Sequence, residues 1–222
     1  MRKQTFEIKK GCDVILAAGG SGSRFGSEEN KIFALLEGRP LIWYSLSLFS
    51  KHPDISRIIL VHRPEDEKRL RELCREFSAK EILFTEGGGE RKDSVYRGLV
   101  LCREEFVIVH DAARPFLNRK FIDRCLKALE DYPAVTLGVP SKDTIKMVNE
   151  KDEVEVTLPR SRTWLIQTPQ AFRRAPFLKA HSLGRDVSGI TDDCMLMERA
   201  GYKVKVLMGD YKNRKITTPD DL

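Results

Sequence analysis

What the chain lacks narrows it first. Five cysteines stand among 222 residues (Cys12, Cys74, Cys102, Cys125 and Cys194), and no two form a CxxC pair. No histidine lies near enough to any of them to complete a zinc-ligand spacing. The expectation is therefore reduced, half-buried thiols in a cytoplasmic protein. No apolar run reaches the length of a membrane span, and no secretory leader is read at the start. Two phosphate-binding signatures are missing as well. The G-x-x-x-x-G-K-[ST] string of a P-loop does not occur. A dinucleotide fingerprint counted from Gly20 and Gly22 needs its third glycine where Phe25 stands. Internal repeats and low-complexity linkers are also wanting, so one domain over 1–222 is the simplest organisation.

Charge, in contrast, is plentiful. Charged residues make up 32% of the chain and hydrophobic residues 41%, with a formal net charge of +6. A basic balance favours anionic partners. Nucleic-acid binding needs cations massed along one face, whereas a stretch such as RPEDEKRLRELCREF interleaves them with acids, as a solvated helix face does. Small anions fit better, and neither nucleic acid nor a membrane is expected as a partner.

Apolar, β-branched runs alternate with helical patterns. Strands are expected at Cys12–Ala17, Arg57–His62, Glu81–Thr85, Phe106–His110 and Ala134–Val139. Helices are expected at Leu41–Ser50, Pro64–Phe77, Glu90–Cys102 and Asn118–Asp131, the last with Asn118 as its N-cap. This alternation predicts an α/β fold whose mostly parallel sheet is covered by helices on both faces. The pattern changes after Val139. Thr144 to Arg160 reads as a β-hairpin around the polar turn NEKDE, a protruding arm at about 141–160. Such a hairpin is marginal alone and must lie on something, either its own domain or a second subunit.

The stretch DVILAAGGSGSRFG raises the functional question. An apolar strand runs straight into small residues and then a cation. Small residues let the backbone approach a phosphate closely, and loops at the carboxyl ends of α/β strands are where ligands bind. Arg24 adds a fork of donors suited to phosphate oxygens, and Lys31 adds a mobile point charge. The series points to a nucleoside triphosphate, with a mere tight turn as the alternative.

Several strings then occur in order over nearly the whole chain. They are LAAGGSGSRFG, NKIF, GGGERKDSVYRGL, VIVHDAARPF, VPSKDTIK, LIQTPQAF, TDD and KITTPDDL. Together they resemble the 2-C-methyl-D-erythritol 4-phosphate cytidylyltransferases of the non-mevalonate isoprenoid pathway. The resemblance implies a Rossmann-like fold, a homodimer linked by β-arms, and a reaction of CTP with a small polyol phosphate that depends on Mg²⁺. It assigns Arg24 and Lys31 to the triphosphate. It places Ala18, Gly19, Gly20, Gly22, Ser23 and Ala112 at the nucleotide, and Gly88 and Ser94 at cytosine and ribose. Asp111 and Arg114 match the acid and base beside metal and substrate. Thr144 and Arg160 match arm residues reaching the neighbouring subunit's substrate, and Thr168 and Lys215 match further substrate-phosphate contacts. Two departures stand out: AAGG offers one more small residue than the usual AAG, and Gly89 replaces an acid that some members carry.

Chemistry gives these assignments reasons. The acceptor phosphate is already anionic, so the reaction needs no general base, only position and cations. Catalysis is accordingly expected from Arg24, Lys31, Lys215 and Arg160. Asp111 follows an apolar strand and reads as a group that holds or orients Mg²⁺, with an N-cap or an ion pair to Arg114 as alternatives. His110 reads as the last packed residue of its strand. TDD reads as a helix N-cap, with a second acidic ligand at Asp192 or Asp193 as the sharper alternative. Two other functions stay open at this point: a ribitol-5-phosphate cytidylyltransferase, and a non-catalytic nucleotide-binding regulator on the same scaffold.

Overall fold

The computed structural model describes residues 11–20 and 29–222. The first half of the chain contains β1 (Cys12–Ala17), the short pair β2 (Leu35–Leu36) and β3 (Arg39–Pro40), α1 (Leu41–Ser50), β4 (Ile55–His62), α2 (Glu67–Cys74), β5 (Glu81–Glu86) and α3 (Arg91–Leu101). There follow β6 (Phe106–Asp111), α4 (Arg119–Ala128), β7 (Ala134–Pro140), β8 (Lys146–Val148) and β9 (Val154–Thr157). Last come β10 (Trp164–Arg173), α5 (Arg174–Leu183), α6 (Asp193–Arg199) and β11 (Val204–Met208).

Side-chain alternation along the strands builds two cores, because a strand sends successive residues to opposite faces. Val14 and Leu16 of β1 join Ile108 of β6 on one face, under Ile42 and Phe49 of α1 and Ile122 of α4. Ile15 joins Val107 and Val109 on the other face, under Leu99 of α3, Phe177 of α5 and Met197 of α6. Helix α3 packs closely because residue 98 is glycine. A Cβ there would stand 2.9 Å from Ile15 and 3.1 Å from Val61. Asn118 caps α4 as expected, its side chain accepting the Lys120 N–H.

The seven-stranded sheet has the order β11-β7-β10-β6-β1-β4-β5. Every strand runs parallel to its neighbours except β10, which is antiparallel to both β6 and β7. From β1 the chain first builds outward through β4 and β5, then crosses over α3 to β6 on the other side of β1. The switch point therefore falls between β1 and β6, where open α/β sheets bind ligands beyond the strands' carboxyl ends.

One expected helix is corrected. Pro64–Phe77 is not one helix: a 3₁₀ turn at Pro64–Asp66 precedes α2, and Asp66 turns inward to Arg63 and Asn30. Strand β10 was not legible, because Thr-Pro in its middle reads as a break; the ladder to β7 accommodates it with a register shift between Gln167 and Gln170. Phe172 ends in the core, stacked on Phe177 at 3.9 Å.

The hairpin forms as expected, with Met147 opposite Val156. It does not fold back on its own domain. Met147, Val148, Val154 and Val156 are between 43% and 55% exposed, so the arm's apolar residues are uncovered within the chain. All five cysteines are free thiols, four of them buried.

Candidate active site

The cleft is built at the carboxyl ends of β1 and β6 by segments that return to the sheet from far along the chain. Asn30, 1% exposed, donates from Nδ2 to the Ala18 carbonyl at 2.8 Å and to Asp66 Oδ2 at 2.7 Å, and its Oδ1 accepts the Ile32 N–H. It thus ties the chain after the small-residue loop back to the end of β1 and sets Lys31 beside it. Gly22, Ser23 and Arg24 lie outside the described residues. On the other side, Asn213 donates to the Thr168 carbonyl at 2.9 Å, and the Ile216 N–H donates to the Ala113 carbonyl at 2.8 Å. Lys215, between these two anchors, is held over Asp111. Neither Asn30 nor Asn213 was singled out from sequence; the only signal is a polar residue beside a lysine.

The centre is a carboxylate among cations. Asp111 Oδ1 accepts from Arg91 Nη1 at 2.8 Å, and Oδ2 accepts from Lys215 Nζ at 2.7 Å. Arg114 Nε lies 3.9 Å away. Burial alone raises the Asp111 carboxyl, but Arg91, Lys215 and Arg114 outweigh it and hold the group well below the usual carboxylate range. Asp111 is thus no N-cap. It is ion-paired, chiefly to Arg91 and Lys215. These residues face a cavity of about 540 Å³ that Gln167, Thr168, Gln170, Thr191 and Asp192 also line.

His110 lies beneath this cluster and does not line it. Burial pushes its pKa down to about 4, so the ring is neutral at physiological pH. Its Nε2 lies 3.2 Å from the Arg114 carbonyl, which can only accept, so the proton sits on Nε2. Nδ1 then accepts from the Thr168 hydroxyl at 3.0 Å, and the same oxygen accepts the Asp111 N–H at 3.1 Å. Thr168 therefore spends its hydroxyl inward and acts as a brace for Asp111. His181 is also pushed down to about 4, first by burial. Unfolded histidines titrate near 6.5, so between about 6.5 and 4 the unfolded chain binds more protons than the folded one. Stability then falls as pH is lowered through that window, by about 1.4 kcal/mol per unit for each histidine. Urea midpoints measured from pH 7 to 4.5 are expected to show this slope, and His181→Leu to flatten it by about half; an unchanged slope contradicts the assignment.

The nucleotide-side positions divide. The Ala18 N–H donates to the Val61 carbonyl and its own carbonyl is taken by Asn30, while the Ala112 N–H donates to the Ala17 carbonyl. Both residues are essentially buried, so they close the floor and offer no amide to a phosphate. Among the described residues nothing lies within 4 Å of a Cβ built on Gly20, whereas a Cβ on Gly19 would stand 3.5 Å from the His62 backbone. Ser94 faces its loop as expected: its hydroxyl accepts the Gly88 N–H at 2.9 Å. That amide is consequently not available to read a base. Gly88 has a packing reason as well, since a Cβ there would meet Asp93 Cβ at 2.4 Å.

Asp192 and Asp193 are structural. Asp192 caps α6 through the Met195 N–H and accepts from Gln170 Nε2, and Asp193 pairs with Arg91 at 2.9 Å. Both oxygens of Asp111 accept from cations here, and the cleft's described residues hold no group of three or more acidic, histidine or cysteine ligands around one point. The cluster with metal-like spacing among the described residues is His52, Asp54 and Asp123. It sits at the opposite end of the sheet, where the Asp54 carbonyl receives the Cys12 N–H. Thr144 and Arg160 meet at the base of the arm, Arg160 Nη2 donating to Thr144 Oγ1 at 2.8 Å, and neither lines the cavity.

A mostly parallel α/β sheet with a cleft of paired cations and carboxylates at its switch point is the architecture of a Rossmann-like enzyme. Comparison with known proteins narrows this. A sequence model of IspD, 2-C-methyl-D-erythritol 4-phosphate cytidylyltransferase, matches residues 12–222. A protein of that name from Alkaliphilus metalliredigens is 41% identical over 214 residues, covering 94% of this chain and 89% of the relative. Among solved structures, 4-diphosphocytidyl-2C-methyl-D-erythritol synthase from Anaerococcus prevotii superposes with a TM-score of 0.84 at 31% identity, covering 96% of this chain and 95% of that one. The Thermus thermophilus cytidylyltransferase gives 0.77 at 30%, with 95% of each chain covered. The chain belongs to the 2-C-methyl-D-erythritol 4-phosphate cytidylyltransferase family and is a nucleotidyltransferase of isoprenoid biosynthesis. No helix among the described residues is long and apolar enough to cross a membrane.

Proposed function

We propose that the cleft joins CTP to 2-C-methyl-D-erythritol 4-phosphate by charge and position alone. The observation that carries this is the convergence of Arg91, Arg114 and Lys215 on the Asp111 carboxylate, with Arg91 also paired to Asp193. An oxygen of the acceptor phosphate attacks the α-phosphorus of CTP, the bond from that phosphorus to the bridging oxygen breaks, and pyrophosphate leaves with the electron pair. Two unit charges about 4 Å apart repel by roughly 4 kcal/mol at an effective dielectric near 20, so bringing two phosphates together needs cations more than it needs a base. His110, neutral and bonded through both ring nitrogens, is no proton carrier here.

In this reading Lys215 and Arg114 receive the acceptor phosphate, and Arg24 and Lys31 flank the triphosphate. Gly19, Gly20, Gly88 and Ser94 shape the nucleotide's side of the cleft. Asp111 orients Lys215. The expected Mg²⁺ would travel with the triphosphate, and Asp111, whose oxygens accept from Arg91 and Lys215, would be the carboxylate available to hold or orient it. The uncovered arm supports a homodimer in which Thr144 and Arg160 reach the partner's acceptor site, since neither faces the cavity of its own chain.

Pyrophosphate release from CTP tests this reading. Methylerythritol phosphate is expected to be preferred over ribitol 5-phosphate by at least tenfold in kcat/KM. In the same assay, Arg160→Ala and Arg24→Ala chains are each expected to be nearly inactive alone. Mixed, they regain up to about a quarter of wild-type turnover, because statistical mixing gives half heterodimers with one intact site each. Verified mixed dimers without recovery contradict the arm's action in trans.

A further inference from the structure

Arg91 sits inside GGGERKDSV, at the first position of α3, where the sequence motifs assign no role. Its guanidinium bridges two acids from different elements. Nη1 donates to Asp111 Oδ1 at 2.8 Å, at the end of β6, and Nη2 donates to Asp193 Oδ2 at 2.9 Å, at the start of α6. The Asp111 and Asp193 side chains are only 9% and 2% exposed, so each bond is made away from bulk water. The far anchor is itself fixed. Gln170 Oε1 accepts the Asp193 N–H at 3.0 Å, and Gln170 Nε2 donates to Asp192 Oδ2 at 2.7 Å. On the near side, the Asp111 backbone is braced by Thr168.

With its backbone braced, Asp111 keeps only the rotation of its carboxylate. Arg91 removes that freedom by holding Oδ1, which leaves Oδ2 at one place, and Lys215 Nζ is 2.7 Å from it. A planar fork fixes two carboxylates at once, whereas a lysine ammonium is a mobile point charge without that geometry.

We infer that Arg91 is a positioning residue for the transfer: by clamping Asp111 between β6 and α6, it sets where Lys215 presents its ammonium to the acceptor phosphate. This rests on the reading that Lys215 meets that phosphate. A clamp that served only to hold α3 against α6 would act through stability, and its loss would add to the loss of Lys215. A positioning residue acts through Lys215, so its effect disappears once Lys215 is gone.

The test is a double-mutant cycle on the full-length enzyme, measuring kcat/KM for methylerythritol phosphate, KM for CTP and thermal midpoints. Arg91→Lys is expected to lose at least tenfold in kcat/KM for the acceptor, with KM for CTP changed less than threefold. In a Lys215→Ala background the same change is expected to cost less than threefold. Asp193→Asn, which weakens the anchor and spares the Arg91–Asp111 bond, provides the second route should Arg91→Lys not fold. It is expected to lose at least threefold alone and nothing further in the Lys215→Ala background. A loss that repeats in full on top of Lys215→Ala, or folded single variants within threefold of wild type, overturns the inference. If Lys215→Ala itself leaves acceptor kcat/KM unchanged, the underlying reading of the cleft fails and the inference falls with it.

Discussion

Replacing Lys215 with alanine is expected to lower kcat/KM for the acceptor phosphate by roughly 100- to 1000-fold, the usual cost of removing one preorganised donor to developing charge. The change should leave the fold intact. Lys215 is 37% exposed at its side chain, and the Asp111 carboxylate it leaves behind still has Arg91 at 2.8 Å. In the proposed reading its loss removes one cation from the acceptor's end of the cleft. Lys215→Arg keeps the charge but changes its shape and reach, so a partial loss between wild type and alanine is expected. The comparison reads charge separately from position. Activity of Lys215→Ala within threefold of wild type, in a protein that melts normally, contradicts the role given to this lysine.

The second large effect concerns stability and lies at the other end of β1. Asp13 is fully buried at its side chain and pairs with Arg57 at 2.6 Å, while its Oδ2 also accepts the N–H groups of Arg103 and Glu104 at 2.7 and 3.0 Å. One carboxylate therefore joins β1, β4 and the turn that leads into β6. Truncating either partner leaves the other charge buried and uncompensated, at a cost of about 3–5 kcal/mol. Asp13→Ala is expected to reach that range, because two main-chain donors lose their acceptor as well. Arg57→Ala is expected to fall in the same range. The double variant should cost clearly less than the sum of the singles, since no unpaired charge remains. Urea unfolding of the three variants measures this. Additive losses, or a single-variant cost under about 1 kcal/mol, contradict the buried pair's place in holding these strands together.

Much of this architecture could be read before any coordinates, and the reasons are local. Phe106–Val109 is an unbroken apolar run followed by His110 and Asp111, so both a strand over Phe106–His110 and the placement of Asp111 at its carboxyl end followed from pattern. Leu41–Ser50, preceded by Pro40, and the Asn118 cap are similar cases, where one residue's conformational preference fixes a boundary. The arm was legible from alternation at Val154 and Val156. What stayed hidden depends on distant partners. Strand β10 carries a Thr-Pro step that only its pairing with both β6 and β7 can accommodate. Asn30, Asn213 and Arg91 are single polar residues whose importance comes from what they reach across the fold, and no spacing along the chain announces that. The neighbours of Asp111 show the same limit. A carboxylate at a strand's end can hold a cation of either kind, and only the structure shows that Arg91 and Lys215 already occupy both oxygens.

The most direct measurement is a crystal structure of the enzyme with CTP, a divalent cation and a non-reacting analogue of methylerythritol phosphate. The expected result places cytidine against Gly88 and Ser94, the triphosphate over Gly19 and Gly20 with Arg24 and Lys31 at its oxygens, and the acceptor phosphate on Lys215 and Arg114. A nucleotide bound at the amino ends of the strands, or a cleft in which Lys215 stays on Asp111 while the acceptor phosphate lies beyond its reach, would contradict the site described above.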